Sequence, residues 1–402
     1  MRSDKNKTIL ILGASRYYSK AIEAVKKTGF NVIAVDKNPE STGFKYADAS
    51  EICDIIDVEG VKNIALKWNA SAIIPVNDYG VPTAAKVSKI LNLKGISPEA
   101  AERSTKKSIM RQVWSENGVA CPQFKIVEDA GDLREAIECI GLPCILKPAT
   151  GYGGASRGVI VISTEEEIDK AIEFTLSFYD DTTTLVEGFI DSVSEHSAEV
   201  LISDGIAHVI TIGDKIKTPL PYRVDKNVLY PSSIPTTLLQ KLKSEIAKAI
   251  AALGVNIGAA HIEFALDKKQ NIIFFEMGAR CGGGGTSAPI VPYVTGIDLF
   301  VELVRIMCGE KIDQLEPLKQ DGCCYHFIIP KPGTISSIIG IDEMKKAENV
   351  LDAEFFYDAG QTIDNVTIGT ERAGFIISGG KNQEDAYKNA LKAESLLSIE
   401  MI

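Results

Sequence analysis

Over the first hundred residues, short apolar runs alternate with amphipathic stretches. "TILILG" (8–13) is almost wholly apolar, and "KAIEAVKKTG" (20–29) places apolar side chains at a helical period and closes on Gly29. "NVIAVD" (31–36) and "SAIIPVND" (71–78) are further apolar runs with helical segments between them. This strand–helix–strand rhythm predicts a parallel sheet with helices on both faces. The first turn, "GASRYYS" (13–19), holds one glycine where G-x-G-x-x-G needs three. Despite Asp36 at the end of the second run, it reads as a structural Rossmann-like unit without nucleotide.

The pattern changes near residue 105. "STKKSIMRQVWSENG" (104–118) predicts a helix ended by Gly118, with Pro122 beyond. "CILKPA", a glycine-rich loop, "GVIVIS", a helix through "EEEIDKAIEFTLSFY" and "TTLVEGFI" follow. "SAEVLI" and "IAHVITI" flank "SDG", a hairpin signal. In "PTTLLQKLKSEIAKAIAALG" (235–254), Leu242, Ile246, Ala249, Ile250 and Leu253 share one stripe. The strands "AAHIEFALD" and "NIIFFEM" come next. From about 310 the chain is strand-rich again ("CCYHFIIP", "AEFFYDAG", "AGFIISGG"), with a helix at 383–397. The expected class is α/β and α+β in three units, 1–105, 106–309 and 310–402.

At 402 residues the chain exceeds one core. Its net charge of −11 argues against nonspecific nucleic-acid or anionic-membrane binding. No apolar stretch approaches the roughly 20 residues of a membrane span. The eight cysteines form no C-x-x-C pair, so reduced thiols and a cytoplasmic location are expected. Cys281, beside Arg280, reads as a small filler rather than a reactive thiol.

Within "AAHIEFALD", Ala260, Ile262, Phe264 and Leu266 point one way, and His261, Glu263 and Ala265 the other. If "KKQN" is a four-residue hairpin loop between Asp267 and Ile272, Glu263 lies opposite Glu276, and Phe274 shares the face of Glu276. Facing carboxylates on a buried strand repel, and a hard divalent cation resolves the conflict. The competing reading is an exposed hairpin with solvated glutamates. "LKPATGYGGASRGV" (146–159) delivers Lys147 from a strand into a loop of glycines, whose backbone can approach phosphate oxygens. It is not a P-loop. "LVEGFI" breaks an apolar strand with Glu187 and Gly188, and Lys107 starts a helix. Each is weak alone.

In combination and order, these features resemble the ATP-grasp family of ATP-dependent carboxylate ligases. That resemblance implies a Rossmann-like N-terminal domain, a central ATP-grasp domain and a small C-terminal α+β domain that completes the site. By position, Lys107 and Lys147 match the phosphate-binding lysines, and Gly151, Gly153, Gly154 and Ser156 the mobile glycine loop. Glu187 through Ile190 matches the adenine hinge, with Gly188 and Ile190 backbone meeting the purine edge. Glu195 matches the ribose-binding acid, Glu263 and Glu276 the metal ligands, and Arg280 the arginine beside the transferred phosphoryl group. Gly278 departs from the family, which often has Asn there. The "IPKPGTI" and "RAGFIISGG" segments are similar to the C-terminal domain of the L-amino acid ligase branch.

The resemblance implies ATP and Mg²⁺, with Mn²⁺ as a substitute, and small-molecule carboxylate and amine substrates. It allows a homodimer. The implied chemistry is an acyl phosphate attacked by an amine. Glycines 282–285 would leave room for a substrate carboxylate. Lys215, Lys217 and Arg223 border the acceptor region by position, Lys215 as a catalytic candidate; solvated charge is the competing reading. His261 reads as structural, and the sequence does not place Arg372. Alternatives are a purine-pathway ligase using formate or bicarbonate, a carbamoyl-phosphate-synthetase-like enzyme, a non-catalytic ATP-binding module, and a nicotinamide-dependent oxidoreductase.

Overall fold

The computed structural model describes residues 7–150, 154–179, 183–312 and 315–402. Four short strands open the chain: β1 (Thr8–Leu12), β2 (Asn31–Asp36), β3 (Ala49–Ile52) and β4 (Ala70–Pro75). They form a parallel sheet of order β3-β2-β1-β4. β1, β2 and β4 are largely apolar because helices cover both faces, whereas the edge strand β3 (ASEI) is only partly buried. The Asp36 carboxylate accepts the Ala14 N–H (2.8 Å) and the Asn38 N–H (3.0 Å), so it pins the first turn.

A second, antiparallel sheet of order β5-β8-β6-β7 contains β5 (Phe124–Val127), β6 (Cys144–Pro148), β7 (Ile160–Ile162) and β8 (Thr184–Gly188). The largest sheet begins with β9 (Ser192–Ser203), β10 (Ile206–Lys217), β11 (Asp225–Tyr230), β12 (Gly258–Asp267) and β13 (Ile272–Gly278). It continues into β14 (Gly322–Ile328), β16 (Val350–Phe355) and β18 (Gly374–Gly380), in the order β13-β12-β9-β10-β11-β14-β18-β16. The sheet therefore runs across residue 310. β15 (Gly333–Ile339) carries β17 (Thr362–Ile363) and β19 (Ser398–Met401) on its two edges. The β9–β10 hairpin turns at Asp204 and Gly205, both at positive φ, as a two-residue connection requires.

One face of the largest sheet packs on the helix Thr236–Ala252. Leu242, Ile246, Ala249 and Ile250 meet Ile262, Phe264 and Phe274, and Trp114 donates its indole N–H to the Ala249 carbonyl (2.9 Å). Here the register corrects an expectation. Leu266, not Asp267, faces Ile272, and the loop spans 267–271. Phe275 is then an extra residue, a bulge that shifts the pairing and still sets Glu263 opposite Glu276. Phe274 and Met277 consequently enter the core, and Glu276 turns to the other face. Burying a phenylalanine contributes about 1.5–3 kcal/mol. That outweighs the one ladder hydrogen bond a bulge gives up, about 0.5–1.5 kcal/mol.

Candidate active site

A cleft of about 940 Å³ receives residues from the loops after β1 and β4, from the β5-β8-β6-β7 sheet, from the largest sheet and from the C-terminal third. Lys147 on β6 and Glu187 on β8 are diagonal neighbours, since Ile145 pairs with Glu187 and Lys147 with Leu185. Both side chains are buried, with Lys147 Nζ 2.7 Å from Glu187. Arg111 donates from Nε to the other Glu187 oxygen (2.7 Å) and from Nη2 to the Phe275 carbonyl (2.5 Å). The Glu187 carboxylate is thus committed to two cations and positions Lys147. Burial, together with Arg111 and Lys107, outweighs Glu187 and pushes the Lys147 ammonium down to about 8.

Other hinge expectations are partly redirected. The Gly188 and Phe189 N–H groups already donate to the carbonyls of Gln123 (2.9 Å) and Pro143 (3.1 Å). A purine edge at Gly188 would find no free donor there. Ile190 and Glu195 line the cleft, but the Glu195 carboxylate is ion-paired with Arg223 and lies 4.0 Å from Lys217.

On the opposite strands Glu263 and Glu276 face the cleft side by side. Each has its own lysine: Lys215 at 2.5 Å from Glu263 and Lys107 at 2.5 Å from Glu276. Lys215 also reaches Asp225 (3.2 Å), which Lys217 shares at 2.7 Å. Burial raises the carboxyl pKa, but these cations outweigh it and hold Glu263 and Glu276 below the usual carboxylate range. Lys215, Lys217 and Arg223 are therefore members of an ion-pair network and not solvated charges.

His261 also belongs to this wall. It bonds Glu199 through Nδ1 (2.5 Å) and approaches Glu263 through Nε2 (3.3 Å). Burial opposes its charge, yet the two glutamates push it up to about 9. Among the described residues no group of three or more His, Cys, Asp or Glu side chains is arranged to hold a metal. The donor set on offer is two carboxylates, which suits a hard cation that completes its shell with water and phosphate oxygens.

Arg280 bonds Asp78, at the C-terminal end of the first sheet, through Nη2 (2.9 Å). This pair accounts for Gly278. A Cβ there would lie 2.6 Å from Asp78 Oδ1 and 3.0 Å from the guanidinium carbon of Arg280. The glycine run 282–285 is mostly filled by protein. A Cβ at Gly282 would meet Glu199 (2.3 Å), at Gly284 the Tyr325 hydroxyl (2.7 Å) and at Gly285 Ile377 (2.2 Å). Only at Gly283 is the nearest atom as far as 3.8 Å, so the expected space for substrate narrows to that residue.

Gly151 and Gly153 lie outside the described residues. Gly154, Ala155, Ser156 and Gly158 all have positive φ. Ser156 donates to the Arg223 carbonyl (3.0 Å), and the Gly369 N–H donates to the Ala155 carbonyl (2.7 Å). Arg372, three residues further on, lines the cleft.

Asp78, Arg111, Asp225 and His261 were not singled out from sequence as site residues. Two signals were available. Arg111 stands four residues after Lys107 on one helix, hence on its face. Asp78 follows the end of a parallel strand, where open α/β sheets place ligands.

Comparison with known proteins identifies the family. Residues 103–315 match the family model described as carbamoyl-phosphate synthase L chain, ATP binding domain. Residues 326–401 match L-amino acid ligase C-terminal domain 2. The chain belongs to the ATP-grasp carboxylate–amine ligase family, whose members are ATP-dependent ligases. It is 28% identical over 310 residues to the alanine–anticapsin ligase of Bacillus subtilis (strain 168), covering 71% of this chain and 64% of that protein. It is 27% identical over 295 residues to the formate-dependent phosphoribosylglycinamide formyltransferase of Wolinella succinogenes, covering 68% and 69%. The crystal structure of an L-amino acid ligase from Bacillus licheniformis superposes with a TM-score of 0.84 at 22% identity over all of both chains. Among the described residues no helix is long and apolar enough to cross a membrane.

Proposed function

We propose that the protein joins a carboxylate to an amine through an acyl phosphate, releasing ADP and phosphate. The observation that carries this reading is the convergence of Lys107, Lys147, Glu263, Glu276 and Arg280 on one cleft. Glu263 and Glu276 would hold Mg²⁺ or Mn²⁺, which supplies charge neutralisation at the phosphate oxygens. Lys107 and Lys215, whose ammonium groups meet those carboxylates here, would then be free to turn to anionic oxygens. Lys147, fixed by Glu187, offers a positive charge with one acid shared between two bases. A substrate carboxylate then attacks the γ-phosphorus, and ADP leaves. The amine attacks the acyl carbon, and phosphate leaves. Arg280, oriented by Asp78, presents its planar fork to the phosphoryl oxygens. Positioning and charge carry the reaction, which needs no protein nucleophile.

In this reading 1–105 supplies Asp78, 106–309 the nucleotide and metal residues, and 310–402 the wall facing them. The match of 326–401 favours an amino-acid substrate over formate or bicarbonate. The test is ADP release with Mg·ATP across a panel of amino acids and small carboxylates. Release that requires both a carboxylate and an amine is expected. No release with any pair would sink the ligase reading, and binding without turnover would leave an ATP-binding module.

A further inference from the structure

The part of the cleft built by β14 and β18 is walled by rings. Tyr325 and Phe327 alternate along β14 onto one face, and Phe375 of β18 pairs with Phe327. Ring centroids of Tyr325 lie 4.3 Å from Phe327 and, edge-on, 5.6 Å from Phe375. Two guanidinium groups rest on aromatic faces there. Arg16 is 4.1 Å from the Phe356 centroid, and Arg372 is 3.5 Å from that of Phe327.

The two arginines differ in charge balance. Arg16 has Glu354 at 3.3 Å. Among the described residues Arg372 forms no ion pair. Its Nε donates to the Gly369 carbonyl (2.6 Å) and its Nη1 to the Asp225 carbonyl (3.3 Å). The Asp225 carboxylate itself is taken by Lys215 and Lys217. Carbonyls satisfy N–H groups but do not neutralise a cation, and a guanidinium has five donors to place. A desolvated cation short of an anion costs free energy that an arriving carboxylate recovers. Desolvation also draws the Arg372 pKa down, as expected for such a group.

We propose that this part of the cleft binds an aromatic amino acid, its carboxylate on Arg372 and its ring among Tyr325, Phe327 and Phe375. Edge and face contacts among these side chains form a surface that matches a flat ring better than a branched chain. The assignment rests on the ligase reading for its chemical role. A carboxylate fixed on Arg372 is kept from the phosphoryl group, so this substrate enters as the amine. Its nitrogen attacks the acyl phosphate, and its own carboxylate leaves unchanged in the product.

Titration calorimetry on the full chain, with Mg²⁺ and a non-hydrolysable ATP analogue present, decides the matter with three probes. L-Phenylalanine carries ring and carboxylate, L-alanine lacks the ring, and phenethylamine lacks the carboxylate. Phenylalanine is expected to bind at least about tenfold more tightly than either. Arg372→Met should erase its advantage over phenethylamine, and Arg372→Lys should restore part of it. Equal binding of the three probes to the wild-type chain overturns the proposal, as does no binding of phenylalanine. An Arg372→Met protein that keeps the full preference also overturns it. ADP release is read separately. Its absence with every substrate pair would remove the ligase reading, while the titration still decides the ring-and-carboxylate preference.

Discussion

Lys147 and Lys215 sit on facing walls of one cleft, with side chains 7% and 5% exposed. Burial disfavours the charge of both. Their ammonium groups nevertheless move in opposite directions, Lys147 down to about 8 and Lys215 above the usual lysine range. The count of neighbours decides. Lys147 shares one acid, Glu187, with Arg111, so two cations meet one anion. Lys215 lies between Asp225 and Glu263, and Lys217 brings the count to two cations and two anions. The first wall is one anion short, a charge that a phosphate would supply in the proposed reaction. The second is balanced by protein groups alone.

The largest effect should come from removing the single acid of the first wall. Glu187→Ala leaves Arg111 and Lys147 buried without a counter-charge, at a cost of about 3–5 kcal/mol. A urea titration measures this, and adding Lys147→Met should recover part of the loss. An unchanged midpoint would show that the two-to-one arrangement does not hold this wall. Next in size, Glu276→Gln on the second wall should lower ADP release roughly a hundredfold, the scale for losing one preorganised electrostatic group. Near-normal turnover would mean that Glu276 does not serve the metal.

How far these walls were legible depends on the range of the contacts. The strands and the stripe of the helix Thr236–Ala252 are set by local periodicity, so pattern reading reached them; the facing of Glu263 and Glu276 was expected from a four-residue loop and is reached instead through a five-residue loop and a bulge. The bulge at Phe275 was not visible, because pairing across it depends on Phe274 winning a place in a core assembled from distant helices. The candidate lysines were legible as types on particular strands and, for Lys107, at the start of a helix. Their partners were not. Arg111 meets Glu187 across 76 residues and Arg280 meets Asp78 across 202. The glycine run 282–285 was read as space for a ligand because sequence cannot show that Glu199, Tyr325 and Ile377 fill it.

The unbalanced wall also predicts a pH effect. Lys147 is charged below about 8 and neutral above it. A bound phosphate favours the charged form, so binding above that pH must take up a proton. Nucleotide-analogue affinity should be flat below about pH 8, then fall by up to roughly tenfold per unit until the pKa of the complex is reached. Titrations in buffers of different ionisation enthalpy would register the proton directly. Lys147→Arg should remove the dependence, and a wild-type profile flat to pH 9.5 or so would contradict a depressed Lys147.

Between the two walls, Arg280 and Asp78 are matched one to one, and Gly278 is the space they occupy. Gly278→Ala alters no charge but sets a Cβ 2.6 Å from Asp78 Oδ1. Either the carboxylate or the strand must give, at about 1–3 kcal/mol of stability. Because, among the described residues, that carboxylate and the Cys281 carbonyl (3.2 Å) are what orient Arg280, displacement should also slow turnover several-fold, with nucleotide affinity nearly unchanged. Adding Asp78→Ala opens room for the Cβ but leaves Arg280 without its counter-charge, so the double variant should lose less stability than the two single losses added together, and turnover should not recover. Strictly additive losses would place the strain elsewhere on β13. A less-than-additive loss with turnover still slow makes charge matching, rather than close fit, the property that this middle pair contributes to turnover.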